Sequence, residues 1–275
     1  MAEHKGHIKI NNIDYTTLAL FSDELYKDNN VCWKINNEPN NKTQFLKKMY
    51  VPTDNNISDY NSWKNSLNIE NPENAKLYKY RYYLKVVENE DDLNNKDRIL
   101  TFVLFNPSYA NQYTLDDTIE NCRFITFDYF KKENIVFTGF EILNLLNIRT
   151  TSTKKLKEND YNNIELYDNT FANYISFNDV VLAWGVSKNK NTFRVEMNKT
   201  WKTLCKLKED CPKCRAIFYK TLDYTQPRTW HLGKQGWSSK GKNLQNDLGS
   251  ENLKIVEVRY FNEIPDCTSP LTLFQ

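Results

Sequence analysis

Glycine is scarce, with seven residues in a chain of 275. No G-x-G-x-x-G and no G-x-x-x-x-G-K-[ST] occurs, so the loops that cradle a dinucleotide or a nucleoside triphosphate are missing. No G-x-S-x-G elbow is present, and Ser108 has no histidine near it in sequence, which argues against a Ser-His-Asp triad. Histidine is rarer still: His4 and His7 sit at the start of the chain, leaving His231 as the internal imidazole for proton transfer. No run of about 18 apolar residues exists, which excludes a spanning helix, and the opening MAEHKGHIKI lacks the apolar core of a signal peptide. The expectation is a cytoplasmic protein with no membrane partner. A net charge of +2 supplies no global field, so any nucleic-acid surface must be local. Six cysteines suit reduced thiols in that compartment. Cys205, Cys211 and Cys214 cluster, with His231 as a distant fourth ligand, but a zinc ribbon needs two CxxC pairs and only CPKC is present. No metal and no cofactor is therefore expected.

What is abundant is aromatic: 17 Tyr, 15 Phe and 6 Trp. Residues 1–75 show weak periodicity and Asn-rich turn segments, and read as an irregular appendage packed on a main domain of residues 76–275. From residue 77 the pattern sharpens. LYKYRYYLKVV alternates as a strand, and RILTFVLF is a second strand expected to pair with it as a hairpin. DDTIENCRFITFDYFKKE has helical spacing, with Ile119, Cys122, Thr126, Phe127 and Phe130 on one face. NIVFTGFEIL is a buried strand, and TKKLKENDYNNIELYDNTFANYI is helical. DVVLAWG is a strand, NTFRVEMNKTWKTLCKLK a helix, RAIFYKTL a strand and LKIVEVRYF an edge strand. Strands alternating with helices imply an α/β fold with a mostly parallel sheet between helical layers. Ligands bind such sheets at the carboxyl ends of strands. That rule singles out Asn106-Pro107-Ser108, Asn144 to Asn147, Trp184-Gly185 and the stretch after Leu222.

Each of these places carries two readings. Asn106-Pro107-Ser108 is a strand-ending turn, or it delivers Asn106 into a site. Asp116 and Asp117 cap a helix, or Asp116 holds a water for attack. Asn144 and Asn147 form a turn, or Asn144 reads the amide edge of a base with its paired donor and acceptor. His231 is a surface residue, or a donor at the mouth of the sheet. Residues 211–242 hold seven Lys/Arg against one Asp. They form a solvated loop, or a nucleic-acid surface in which Lys220, Arg228, Lys234, Lys240 and Lys242 meet phosphates while Trp230 and Trp237 stack on bases.

The run LFNPSYANQYTLDDTIENC resembles a bacterial and phage family of unknown function with the pattern L-N-P-S-x-A-D, then D-D-P-T-I-x-x-C. The counterparts are Asn106, Pro107, Ser108, Ala110, Asp116, Asp117, Thr118 and Cys122. Asn144-Leu145, Ala183-Trp184-Gly185 and Pro227-Arg228 follow in the family's order, across residues 77–235. The same order resembles the uracil-DNA glycosylase superfamily, whose strand-end motif activates water, whose later strand-end Asn binds the base and whose last loop carries a His. FNPS, EILN, LAWG and QPRTWHLG fall in that sequence. The resemblance implies a three-layer α/β/α fold with a central parallel sheet. It puts Asn106, Asp116 and His231 in catalytic or vestigial positions, and Pro107, Ser108, Tyr109 and Asn144 at the base. The departures are specific. The H-P-S-P element is absent, Thr229 and Trp230 replace a His and a Pro, His231 is displaced by two residues, and Phe105 stands where small residues let a base approach. Losing one preorganised group costs about 10²–10³ in rate. The chain thus resembles a pseudo-uracil-DNA glycosylase of the kind encoded on staphylococcal mobile cassette elements, with an Asn/Lys-rich composition to match. DNA or a glycosylase-inhibitor protein is the implied partner. The competing expectation is an active glycosylase or nucleotide N-glycosidase for another or modified base.

Overall fold

The computed structural model describes residues 2–10, 13–22, 79–107, 110, 117–149, 171–183, 203, 206, 213–219, 232 and 253–257. Among the described residues, eight strands build one sheet: β1 Ala2–Ile10, β2 Ile13–Phe21, β3 Arg81–Val87, β4 Ile99–Leu104, β5 Gly139–Asn144, β6 Asp179–Leu182, β7 Lys213–Tyr219 and β8 Leu253–Glu257. Their spatial order is β1-β2-β3-β5-β4-β6-β7-β8.

The sheet is mixed. β5, β4, β6 and β7 run parallel, while the pairings β1–β2, β2–β3, β3–β5 and β7–β8 are antiparallel. This corrects the expectation of a mostly parallel sheet and leaves a coarser α/β description. The predicted β3–β4 hairpin does not form, because β5 lies between those strands. Every residue of β3, β4 and β5 is buried, so their apolar patterns carry no mark of which neighbour each will take. β8 is an edge strand, as the sequence suggests.

The N-terminal boundary also shifts. Residues 2–10 and 13–21 are not an irregular appendage but a hairpin continuous with the main sheet through β2 and β3. From Tyr15 to Phe21, β2 is buried on both faces, and a doubly covered strand shows no alternation to read. Residues 23–78 lie outside the described residues.

Strand alternation splits the core in two. On one side, Leu100, Phe102, Leu104, Phe140, Ile142 and Val181 meet a helix. That helix is α1, Asp117–Phe124, continuing through a π turn, Ile125–Tyr129, and a last turn, Phe130–Lys132. Ile119, Cys122, Thr126, Phe127 and Phe130 are all buried, as their spacing predicts. The Thr126 hydroxyl donates to the Cys122 carbonyl at 2.8 Å, within the ladder that the π turn loosens. On the other side, Val103, Leu143, Val180 and Leu182 pack with Leu93, Ile175 and Phe177 from loops. The helices expected over residues 153–175 and 191–208 fall largely outside the described residues; a short 3-10 turn, Phe171–Asn173, and helical Thr203 and Lys206 are described.

Candidate functional site

The parallel strands fix where a ligand site belongs. From β4 the chain crosses to β5 on one side, and β6 and β7 then build outward on the other. β4 and β6 therefore flank the point where the strand order reverses, the place where open α/β sheets in general bind ligands, outside the carboxyl ends of their strands. Asn106 stands at the carboxyl end of β4. Its register partner strand ends at Asn144, paired with Leu104, and β6 continues to Ala183, whose amide donates to the Val103 carbonyl at 3.0 Å.

The predicted residues are placed as follows. Asn106 is half-buried, and its Nδ2 donates to the Pro107 carbonyl at 3.0 Å, which is turn chemistry. Pro107 is buried. Asn144 is 0 % exposed on the α1 side of the sheet, sealed from solvent. Asn147 is buried and its carbonyl accepts from the Arg81 amide at 3.0 Å. Phe105 does not stand over Asn144; it is buried in the opposite core with Leu145. Asp117 opens α1. Ser108, Tyr109, Asp116, Lys220, Arg228, Trp230, His231, Lys234, Trp237, Lys240 and Lys242 lie outside the described residues, as do Trp184, Gly185, Cys205 and Cys211. Cys214 belongs to β7, paired with Val180, rather than to a turn. Among the described residues no cluster of metal-ligating side chains occurs, and no helix is long and apolar enough to cross a membrane.

Two residues that no motif pointed to gather the loops. The first is Arg81. In β2–β3 the register steps from Leu20↔Tyr83 to Phe21↔Arg81, so Tyr82 is an extra residue on β3. Such a bulge reverses the alternation and re-aims the next side chain. Arg81 is thereby turned toward Phe21 and the α1 side, where its Nη1 donates to the Ala110 carbonyl at 2.7 Å. Both Arg81 and Ala110 are fully buried. The second is Asn121 on α1, whose Nδ2 donates to the Leu232 carbonyl at 2.8 Å across 111 residues. Leu232, next to His231, is buried in the same core as Leu104, Ala110 and Ala183. Arg149 joins this end of the sheet, its guanidinium 5.3 Å from the Phe21 ring centre.

A family model described as "Protein of unknown function (DUF1643)" matches residues 81–221. That span is more than half of the 275-residue chain. The chain belongs to this family. The matched span begins at Arg81 and takes in β3 to β7, α1 and both Asn106 and Asn144. No curated protein and no solved structure gives a significant match.

The opposite end of the sheet holds a buried polar row. Lys85, Glu141 and Thr101 are register neighbours on β3, β5 and β4. The Glu141 carboxylate is 0 % exposed. It accepts from the Thr101 hydroxyl at 2.6 Å, the Tyr83 hydroxyl at 2.9 Å, the Ser176 amide at 2.9 Å and the Phe177 amide at 3.0 Å. Consecutive amides converging on one anion form a small nest. Phe177 adopts a φ of 47° there, a conformation that costs a non-glycine residue about 1–3 kcal/mol. Lys85 donates to the Leu93 and Asn95 carbonyls at 2.7 and 2.6 Å. Burial pushes its ammonium down to about 8, against the pull of Glu141. Burial and the Glu141 charge hold the Tyr83 phenol well above its ordinary range. Every one of these groups is tied to main chain or to another member, near the amino ends of β4 and β5, so the row serves the fold rather than a ligand.

Proposed function

We propose that this chain is a degenerate glycosylase-like protein, a cytoplasmic three-layer α/β domain that binds DNA, or a DNA-mimicking glycosylase inhibitor, and excises uracil slowly or not at all. The observation that carries the reading is the pair of asparagines at adjacent strand ends. By the motif resemblance these are the residues that would activate water and read a base in a glycosylase; here Asn144 is sealed from solvent and the Asn106 Nδ2 donates to the Pro107 carbonyl. Excision needs an open base pocket and a positioned water; binding through surface shape needs neither. Ala110 and Leu232, from the two loops that the resemblance implicates, are buried in one core, which supports the reading.

The test is base release from uracil-containing single- and double-stranded DNA, with an active glycosylase as control and Asn106→Ala alongside. The expected result is no release at high protein concentration, together with a saturable complex with DNA or an inhibitor protein. Release that vanishes in Asn106→Ala overturns the proposal in favour of an enzyme acting on DNA. Absence of any complex removes the binding role.

A further inference from the structure

We propose that Arg81 and Asn121 are positioning residues that set the candidate site by holding two distant loops, one to β3 and one to α1, at the carboxyl end of the sheet. Each donates to the main-chain carbonyl of a buried loop residue: Arg81 to Ala110 and Asn121 to Leu232. A carbonyl contact fixes backbone irrespective of the side chain it carries, which suits loops whose own side chains must face a ligand. The two anchors have different origins in the chain. Arg81 reaches its target because the Tyr82 bulge turns it to the α1 side, while Asn121 lies on α1 itself, between Ile119 and Cys122, which are buried against the same core as both loop residues. Three residues separate Ala110 from Asn106, so the Arg81 bond limits where the Asn106 turn can lie relative to β4. The Asn121 bond limits where the residue beside His231 can lie relative to the same helix. The inference rests on the reading that the carboxyl end of the sheet binds a nucleic-acid ligand.

Asn121 offers the cleaner test, since its side chain is half-buried and makes its contact with a single amide hydrogen. Asn121→Asp keeps the shape and sets an acceptor against the Leu232 carbonyl; Asn121→Gln keeps the donor. Three quantities are read on the full chain: melting temperature, amide exchange at residues 105–110 and around 232, and affinity for a uracil-containing single-stranded oligonucleotide. Asn121→Asp is expected to leave melting nearly unchanged, raise exchange around Leu232, and weaken oligonucleotide binding about five- to tenfold, the worth of about one hydrogen bond. Asn121→Gln is expected to recover part of that loss. Arg81→Lys is expected to raise exchange at residues 105–110. Unchanged local exchange overturns the inference, as does a fall in melting temperature with affinity per folded molecule intact. If the wild-type chain binds no oligonucleotide, the nucleic-acid reading fails, and the exchange data alone then decide whether these two residues position the loops.

Discussion

Glu141→Gln isolates the charge of the buried polar row while keeping its shape. Gln retains one oxygen for the Thr101 hydroxyl and for the Ser176 and Phe177 amides, which all reach Oε1 in the native protein at 2.6–3.0 Å. Its amide nitrogen takes the Oε2 position. The Tyr83 hydroxyl already donates to the Tyr174 carbonyl at 2.9 Å, so it can accept from that nitrogen and lose little. What is lost is the charge assistance on the three Oε1 bonds, together with the weaker second contact of the Ser176 amide to Oε2 at 3.0 Å, which the amide nitrogen cannot accept. A hydrogen bond to a charged group contributes about 1.5–3 kcal/mol and a neutral one about 0.5–1.5, so the loss is about 1 kcal/mol per bond and about 3 kcal/mol in all. Glu141→Ala removes the acceptor outright. The Phe177 amide keeps the Thr101 hydroxyl at 3.2 Å as a fallback, but the Ser176 amide loses both of its carboxylate contacts, and a cavity opens. That loss exceeds about 5 kcal/mol, which is the whole stability of many domains. Urea unfolding followed by intrinsic fluorescence gives the two values, and amide exchange at Ser176 and Phe177 locates them. A Gln variant within about 1 kcal/mol of wild type refutes the reasoning, as do equal losses in the Gln and Ala variants.

The same row predicts a pH profile. Lys85 loses its proton at about 8 in the folded protein but near 10.4 when unfolded, so the unfolded chain holds more protons between about pH 8 and 10 and stability rises across that window. Beyond about pH 10 the unfolded chain ionises a tyrosine that the fold keeps protonated at Tyr83, and stability falls again; urea midpoints that are flat or falling from about pH 8 to 10, or a rise that survives in Lys85→Met, contradict the assignment. Gly139→Ala places a Cβ 2.6 Å from Val87 Cγ1 and 2.7 Å from the Val86 carbonyl oxygen. Because backbone cannot swing aside, β3 must separate from β5, at a cost of about 1–3 kcal/mol or more in unfolding free energy; a neutral substitution contradicts the close approach. Asp179→Asn leaves the buried Arg215 guanidinium, 2.6 Å from Asp179 Oδ1 and stacked on Phe130, without its counter-charge. Because Asp179 is part-exposed, the expected loss is about 2–3 kcal/mol, and a double-mutant cycle with Arg215→Met that shows no coupling rules the pair out as a source of stability.

How far this fold can be read from sequence depends on how many faces each strand shows to solvent. β4, β6, β7 and α1 are legible because apolar runs of the right length are bounded by turn residues, and because Ile119, Cys122, Phe127 and Phe130 keep helical spacing through the π turn. The β5 strand is legible but begins at Gly139, since Ile135 and Val136 are exposed before it. Strand neighbours are not legible, because β3, β4 and β5 are uniformly buried and any pairing satisfies their pattern. The Tyr82 bulge is invisible in KYRYYLKVV, where strict alternation would send Arg81 to the other face. Asn106 is legible as a strand-end residue because Pro107 stops the strand, yet Arg81 and Asn121 hold the flanking loops through main-chain carbonyls, which leave no residue pattern. Glu141 did leave a signal: a lone acid inside GFEILN is rare in a buried strand unless it is fully paired.

The two ends of the sheet thus do different work, and the difference is chemical. Near the amino ends, the Glu141 carboxylate accepts from two hydroxyls and two amides, while the neighbouring Lys85 ammonium donates to two loop carbonyls. Such a network tolerates little change, because removing one partner strands the others in a low dielectric. At the carboxyl ends the described contacts are single donors on loop carbonyls, Arg81 on Ala110 and Asn121 on Leu232. Each contributes modestly to stability and strongly to where a loop lies. Substitutions at Glu141 or Lys85 should therefore shift unfolding without altering ligand affinity per folded molecule. Substitutions at Asn121 should do the reverse. That reciprocal pattern separates a scaffold from a site in this chain, and its stability and loop-exchange halves can be measured before any ligand is identified, because loop exchange reports on the carboxyl end directly.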